Sequence, residues 1–230
     1  MHIEPGIVDG AKMVLSYGTA LAVFAYTAKL AWGTIKQSGP LALALRSAIT
    51  AALVFCFFEV LPHYPVGVSE VHFILGSTLF LMFGAAPAAI GLSIGLLAQG
   101  VLFAPADLPQ YGMNVTTLLV PLFAMSALAR RIVPANTAYK DVSYAQCFKL
   151  STAYQGGVVA WVAFWAVYGQ GVGAANLAEI ATFGLAYMSV VLIEPVVDLA
   201  ILAAAKSLHQ LRDNVVFQDR FHHVVARAGN

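Results

Sequence analysis

Long runs of apolar residues, separated by short breaks rich in proline and glycine, follow one another along the chain. A helix needs about 20 apolar residues to cross the hydrocarbon of a bilayer. Because lipid offers the backbone no hydrogen bonds, runs of this length are predicted to be helices. Seven runs qualify, and six remain the alternative because only Ala85-Ala86-Pro87 divides the third run from the fourth. The predicted spans lie near residues 11–33, 41–61, 71–85, 87–104, 115–133, 153–169 and 178–205.

The composition agrees with a bilayer as the solvent. Hydrophobic residues make up 60% of the 230 residues and charged residues 10%, and the mean hydropathy is +0.80. Soluble domains carry about 25% charged residues, so a cytosolic enzyme, a nucleic-acid-binding protein and a disordered chain are excluded. The two cysteines, Cys56 and Cys147, have neither disulfide nor metal-ligand spacing. We therefore predict an all-α integral membrane protein, a bundle of about seven transmembrane helices.

Lysine and arginine residues are distributed unevenly between the connections. The second, fourth and sixth connections contain none, whereas the first, the fifth and the C-terminal segment contain several. Because cytoplasmic loops near membrane helices carry the excess of these residues, seven spans place the N-terminus outside and the C-terminus in the cytoplasm. The basic residues concerned are Lys29, Lys36, Arg46, Arg130, Arg131, Lys140, Lys149, Lys206, Arg212, Arg220 and Arg227.

One membrane domain with two short terminal segments is expected. Residues 1–10 form an extracytoplasmic segment, residues 11–206 the transmembrane domain and residues 207–230 a cytoplasmic tail. The start of the chain lacks the basic residues and cleavage site of a secretory signal, so the mature chain is expected to begin at Met1. The tail is interpreted either as an amphipathic helix on the membrane or a partner, or as a frayed extension. Its His222-His223 pair is interpreted as solvated.

Residue 2 is a special position for a divalent ion when the amino terminus is free. The α-amine of Met1 and the amide and imidazole nitrogens of His2 can bind one ion through a five-membered and a six-membered chelate ring. A further imidazole can take the fourth place in the plane. His63 and His72 are the candidates, and we favour His72 because it stands at the outer start of the third run. Planar nitrogen ligands suit Ni(II) and Cu(II), and protonation of the ligands weakens binding as the pH falls.

Four further sequence elements accompany this N-terminus. They are VHFILG at 71–76, the stretch Gln99 to Ala104, the stretch Gly112 to Val115, and Val191 to Glu194. Together with the opening MHIEPG they resemble, in order, elements of the substrate-binding membrane component of energy-coupling factor cobalt/nickel transporters, the CbiM/NikM family. The resemblance is densest over residues 1–115.

The resemblance implies a function and a set of partners. It implies that Met1, His2 and His72 bind Co(II) or Ni(II), the transported substrate, through four nitrogens, with the N-terminal segment folded back into the bundle. It also implies a transmembrane coupling subunit and cytoplasmic ATPase subunits as partners in a bacterial inner membrane. An organic cofactor and a nucleic-acid partner are not expected.

Other polar residues near the predicted spans have candidate roles. Asn114 matches an asparagine of the family and either orients a ligand or satisfies the backbone at a helix start. His63 and Glu70 are candidates for supporting the ion, Glu70 as part of a negative outer loop that attracts cations. Glu194 and Asp198 lie four apart on one helix; Glu194 is expected to contact a partner or line the path, and Asp198 to be hydrated near the cytoplasmic interface.

Two functions remain open. The first is a substrate-capture subunit without catalytic activity, because the chain contains none of the phosphate-binding, serine-hydrolase or zinc-protease motifs, and ATP must be hydrolysed by other chains. The second is an accessory or structural membrane subunit of the same fold that does not transport, which departures from the family pattern in two loops, Val68 to Glu70 and Ala106 to Tyr111, permit. A haem protein is disfavoured because only His72 lies near a span.

Overall fold

A computed structural model describes the backbone of residues 3–212 and the side chains of residues 3–207. This part of the chain forms a bundle of helices with one antiparallel β-hairpin, whose strands are β1 Tyr64–Val66 and β2 Ser69–Val71. The helices are α1 Met13–Ser38, α2 Pro40–Glu59, α3 Gly76–Phe83, α4 Ala85–Leu102, α5 Tyr111–Ile132, α6 Tyr144–Gln170 and α7 Ala174–Arg212. Met1, His2, the His222-His223 pair and the other side chains of the predicted tail after residue 207 lie outside the described residues.

Six of these helices are long and apolar enough to cross a membrane, which confirms the predicted class of fold. The exception is α3, which has 8 residues and is only about 12 Å long. The predicted third span at 71–85 is therefore wrong as a single helix, since β2 and a non-helical stretch at 72–75 precede α3. The predicted sixth span began too late, because Ser143 and Gln146 form a capping box that starts α6 at Tyr144.

The path of the chain nevertheless crosses the bundle between α2 and α4. Gly91 of α4 lies against Thr50 of α2, and Gly95 lies against Val54, one turn further along both helices. The two helices therefore run in the same direction. The chain between them must return through the bundle, and the segment 60–84, which includes the hairpin and α3, makes this return.

The bundle consequently has two different ends. At the first, which we call the hairpin end, residues 3–8 lie beside the hairpin and the last turn of α6. At the second, which we call the basic end, Lys206 of α7 donates a hydrogen bond from Nζ to the backbone carbonyl of Lys140, at 2.7 Å. The helix directions bring the charged termini of α1, α2 and α5 to this end as well, with Lys36, Arg46 and Arg131. That the hairpin end faces outward stays a prediction from the distribution of charge.

The close packing of α2 on α4 makes a stability prediction. The change Gly95→Ala places a Cβ atom 2.6 Å from Val54 Cγ1, so the helices must separate. We expect the free energy of unfolding to fall by about 1–3 kcal/mol. The matched control is Gly184→Ala in α7, where the new Cβ has no atom within 4 Å and the helical preference of alanine leaves stability equal or higher. Thermal unfolding in detergent compares the two, and equal midpoints would contradict this packing.

Candidate functional site

His72 opens the non-helical stretch that links β2 to α3. The residue is only 1% exposed, and its Nε2 atom lies 2.7 Å from Glu70 Oε2. With the Nε2–H donating to this carboxylate, the neutral imidazole carries its lone pair on Nδ1. A carboxylate placed behind an imidazole in this way fixes the tautomer and increases the basicity of a metal-binding histidine. The ring is thus buried, with Nε2 directed at the Glu70 carboxylate.

Two further rings flank the His72 imidazole. The His63 ring stacks on it with centroids 4.9 Å apart and an interplanar angle of 11°, and the Phe58 ring lies at 5.3 Å with a tilt of 52°. His63 Nδ1 donates to the carbonyl oxygen of Leu61 at 3.2 Å, so the lone pair of its neutral ring is on Nε2. His63 is half-buried while His72 is buried, which makes His63 the more accessible imidazole of the pair.

The N-terminal segment is attached to the same region through Ile3. The Ile3 N–H donates to Asn114 Oδ1 at 2.8 Å, and Ile3 forms an antiparallel bridge with Ser69 at the edge of the hairpin. The Glu4 N–H donates to the Val68 carbonyl oxygen at 3.2 Å. These contacts fix Ile3, the residue that follows His2, between α5 and the hairpin. Its partner Ser69 precedes His72 by three residues.

The remainder of the segment is attached to the end of α6. Val8 is buried in a cluster with Trp165, and the backbone of Ile7 approaches Gly169 so closely that a Cβ atom would not fit there. Lys12 Nζ donates to the Gly169 carbonyl oxygen at 2.5 Å. Since the carbonyl groups at a helix C-terminus lack intrahelical donors and carry partial negative charge, this lysine stabilises the last turn of α6.

The structure therefore brings together part of the predicted site. Glu70 and His63 both contact the His72 imidazole, and the Asn114 side chain binds the backbone of Ile3 and does not cap its own helix. Met1 and His2 lie outside the described residues. Within residues 3–207, no group of three histidine, cysteine or acidic side chains converges on a point where a metal ion would fit.

Glu194 has a role that the sequence did not reveal. Its side chain is fully buried, and its two carboxylate oxygens accept hydrogen bonds from the backbone N–H groups of Ile74 and Leu75, the latter at 3.1 Å. The side-chain amide of Gln155 in α6 donates to it as well. The expected contact of Glu194 with a partner subunit is wrong, because this carboxylate is enclosed by the chain itself.

Asp198, one turn further along α7, is also fully buried. Its carboxylate accepts hydrogen bonds from the hydroxyl groups of Ser77 and Thr78 in the first turn of α3. The expectation of a hydrated aspartate near the interface is therefore wrong. The four-residue spacing of the two acids was the available signal, but their partners lie about 120 residues away in the sequence.

Comparisons with known proteins agree with a metal-transport fold. A family model described as "Cobalt uptake substrate-specific transmembrane region", named CbiM, matches residues 2–211. A solved structure titled a transition metal transporter is similar, with a TM-score of 0.70, 16% identity and all of both chains covered. A second, titled a truncated transition metal transporter, has a TM-score of 0.66, 16% identity and 93% of this chain and 100% of that chain covered. The comparison with curated proteins finds no match.

The hydrogen bond from Ile3 to Asn114 makes a prediction about the N-terminal segment. Asn114→Ala leaves a buried N–H group without its acceptor, which costs about 1–3 kcal/mol. We expect amide exchange in the N-terminal peptide to accelerate by roughly tenfold or more, as measured by hydrogen–deuterium exchange and mass spectrometry. Asn114→Asp keeps an oxygen at the same place and should keep the protection. Unchanged exchange in the alanine variant would show that Asn114 does not anchor the segment.

Proposed function

The chain belongs to the CbiM family of cobalt-uptake transmembrane components, and we propose that it is the subunit that captures a Co(II) or Ni(II) ion for an energy-coupling factor importer. The attachment of Ile3 beside the buried His72 is the observation that supports this proposal most directly. Ile3 is paired with Ser69, three residues before an imidazole that is hydrogen-bonded to a carboxylate. Together, a chelating N-terminus and this imidazole form a site for one ion.

The proposed site has four nitrogen ligands. The α-amine of Met1, the amide nitrogen of His2 and the His2 imidazole supply three, and His72 Nδ1 supplies the fourth. Two residues extend at most roughly 7 Å beyond Ile3, and Ile3 pairs with Ser69, three residues before His72. Because the pairing of Ile3 with Ser69 is antiparallel, its continuation to residues 2 and 1 would run along the hairpin toward His72. Nitrogen ligands in this arrangement suit late first-row divalent ions and discriminate against Mg(II) and Ca(II).

The surrounding residues have supporting roles in this proposal. Glu70 accepts a hydrogen bond from the Nε2–H group of His72 and so keeps Nδ1 as the ligand atom. Asn114 holds the backbone of Ile3 and thereby limits the positions that His2 can take. His63, the accessible ring stacked on His72, covers the buried imidazole at the hairpin end. Binding of the ion deprotonates its ligands, so affinity falls as the pH is lowered.

The capture subunit acts with partners in this proposal. Residues 1–10 are the chelating segment, residues 11–206 the membrane domain and residues 207–230 a cytoplasmic tail. The hairpin end faces outward and the basic end faces the cytoplasm of a bacterial inner membrane, as the distribution of lysine and arginine favours. There a transmembrane coupling subunit and ATPase subunits supply the energy, since the sequence has no phosphate-binding motif of its own.

A metal titration of the purified protein with its native start tests the chelate. His2→Ala, His72→Ala and a variant with one extra residue before Met1 should each weaken Ni(II) binding by at least about 100-fold, more than the loss of a supporting residue causes. The extra residue preserves every side chain and moves only the α-amine. Visible spectra of the Ni(II) and Co(II) complexes record whether nitrogen ligands lie in one plane around the ion.

A matched variant sharpens that titration. His63→Ala removes the imidazole that stacks on His72 but no proposed ligand, and should reduce the affinity for Ni(II) by less than about tenfold. If the native protein and all the variants bind alike, or if none binds, the N-terminal chelate is wrong for this chain. An accessory subunit that keeps the fold without capturing metal then becomes the better description.

The contact between Glu70 and His72 makes a separate prediction. Glu70→Gln removes the charge that increases the basicity of the His72 ring, and we expect Ni(II) affinity to fall roughly tenfold. Glu59→Gln, at the end of α2, removes the same charge from the same end of the bundle and is the control. Equal losses in both variants would mean that Glu70 acts only by attracting cations and does not orient the imidazole.

A further inference from the structure

The stretch that follows His72 is held by side chains rather than by a helix. Residues 72–75 have no regular secondary structure, and Leu75 has a φ of +52°, a left-handed conformation that is unfavourable for a residue with a side chain. At the next position the ring of Tyr154 lies so close to Gly76 that a Cβ atom would not fit. A strained backbone of this kind persists only where its surroundings determine it.

Glu194 provides the main polar contacts of this stretch. Its two oxygens accept the N–H groups of Ile74 and Leu75, which are the second and third residues after His72. The carboxylate is in turn held by the Gln155 amide, and the Tyr187 hydroxyl donates to Gln155 Oε1 at 2.7 Å. All of these side chains are fully buried. The network therefore fixes the backbone that carries the His72 ring to two long helices, α6 and α7.

We propose that Glu194 is a positioning residue for metal capture: it holds the 72–75 backbone so that the His72 imidazole meets the ion in the plane of the N-terminal nitrogens. This inference rests on the proposed function, because it takes His72 as a ligand. Glu194 itself does not contact the ion. It acts through Ile74 and Leu75, and a change of its side chain alters where His72 stands rather than how many ligands the site has.

Asp198 offers a matched comparison on the same helix. It is as deeply buried as Glu194 and also binds residues that lie close after His72. However, its partners are the side-chain hydroxyls of Ser77 and Thr78, five and six residues after His72 and already inside α3. A merely structural acid in α7 should therefore behave like Asp198, whereas a positioning residue should affect the metal site more strongly.

The experiment compares Ni(II) dissociation constants and visible spectra for the native protein, Glu194→Gln, Asp198→Asn and His72→Ala, each purified as a monodisperse species. The glutamine amide replaces one acceptor oxygen by a donor, so one of the three donors around Glu194 loses its partner. We expect Glu194→Gln to weaken Ni(II) binding roughly 10-fold to 100-fold and to shift the visible band. Asp198→Asn should change the affinity by less than about threefold while lowering the unfolding temperature to a similar extent.

A milder variant keeps the test decisive if Glu194→Gln does not fold. Tyr187→Phe removes only the hydroxyl that donates to Gln155, and should still weaken Ni(II) binding by roughly twofold to tenfold. Native affinity and spectrum in a folded Glu194→Gln or Tyr187→Phe protein, or an equal loss in Asp198→Asn, would overturn the inference. If instead the native protein does not bind Ni(II), or if His72→Ala binds Ni(II) as tightly as the native protein, the proposed function itself fails.

Discussion

A chain inside a bilayer must supply hydrogen-bond partners for its own backbone, and residues 72–75 are where this bundle meets that demand with buried side chains. A continuous third helix would have satisfied these groups internally. Instead Glu194 binds the N–H groups of Ile74 and Leu75, and Asp198 binds the first turn of the short helix α3. Broken helices at membrane depth occur where the chain is enclosed by protein or lines a binding site. Here the non-helical stretch begins at His72.

The position of the N-terminal segment depends on the same break. Because the chain turns into a hairpin before His72, an open strand edge at Ser69 is available to pair with Ile3. Asn114 completes the attachment from α5, and Lys12 fixes the other side of the segment to α6. The hairpin, α5 and α6 thus all contribute to holding residues 3–12, although segments near a chain terminus commonly have few contacts.

Hydrophobic pattern and charge predicted the class of fold, six of the helices and the distinction between the two ends. They failed at 71–85, because an apolar run does not distinguish a helix from an extended segment whose backbone N–H groups donate hydrogen bonds to acidic side chains far away in the sequence. The start predicted for α6 was too late, and the sequence itself could have corrected it, since Ser143 and Gln146 carry the capping-box signature. Of the described candidate residues, His72 and His63 were selected as imidazoles on the outer side and Glu70 as part of a negative loop, and the structure brings Glu70 and His63 against the His72 ring. The backbone partners of Glu194 were not predicted, because no side-chain pattern reports which N–H groups of Ile74 and Leu75 need an acceptor.

The length of α7 gives the proposed role of Glu194 a mechanical consequence. This helix begins at Ala174 near the hairpin end and continues to the basic end, where Lys206 binds the carbonyl of Lys140. Glu194 lies between these two points. Because packed helices can carry coupling between distant sites, a partner that moved the basic end of α7 would, in the proposed function, act on residues 74 and 75 and through them on the position of the His72 imidazole.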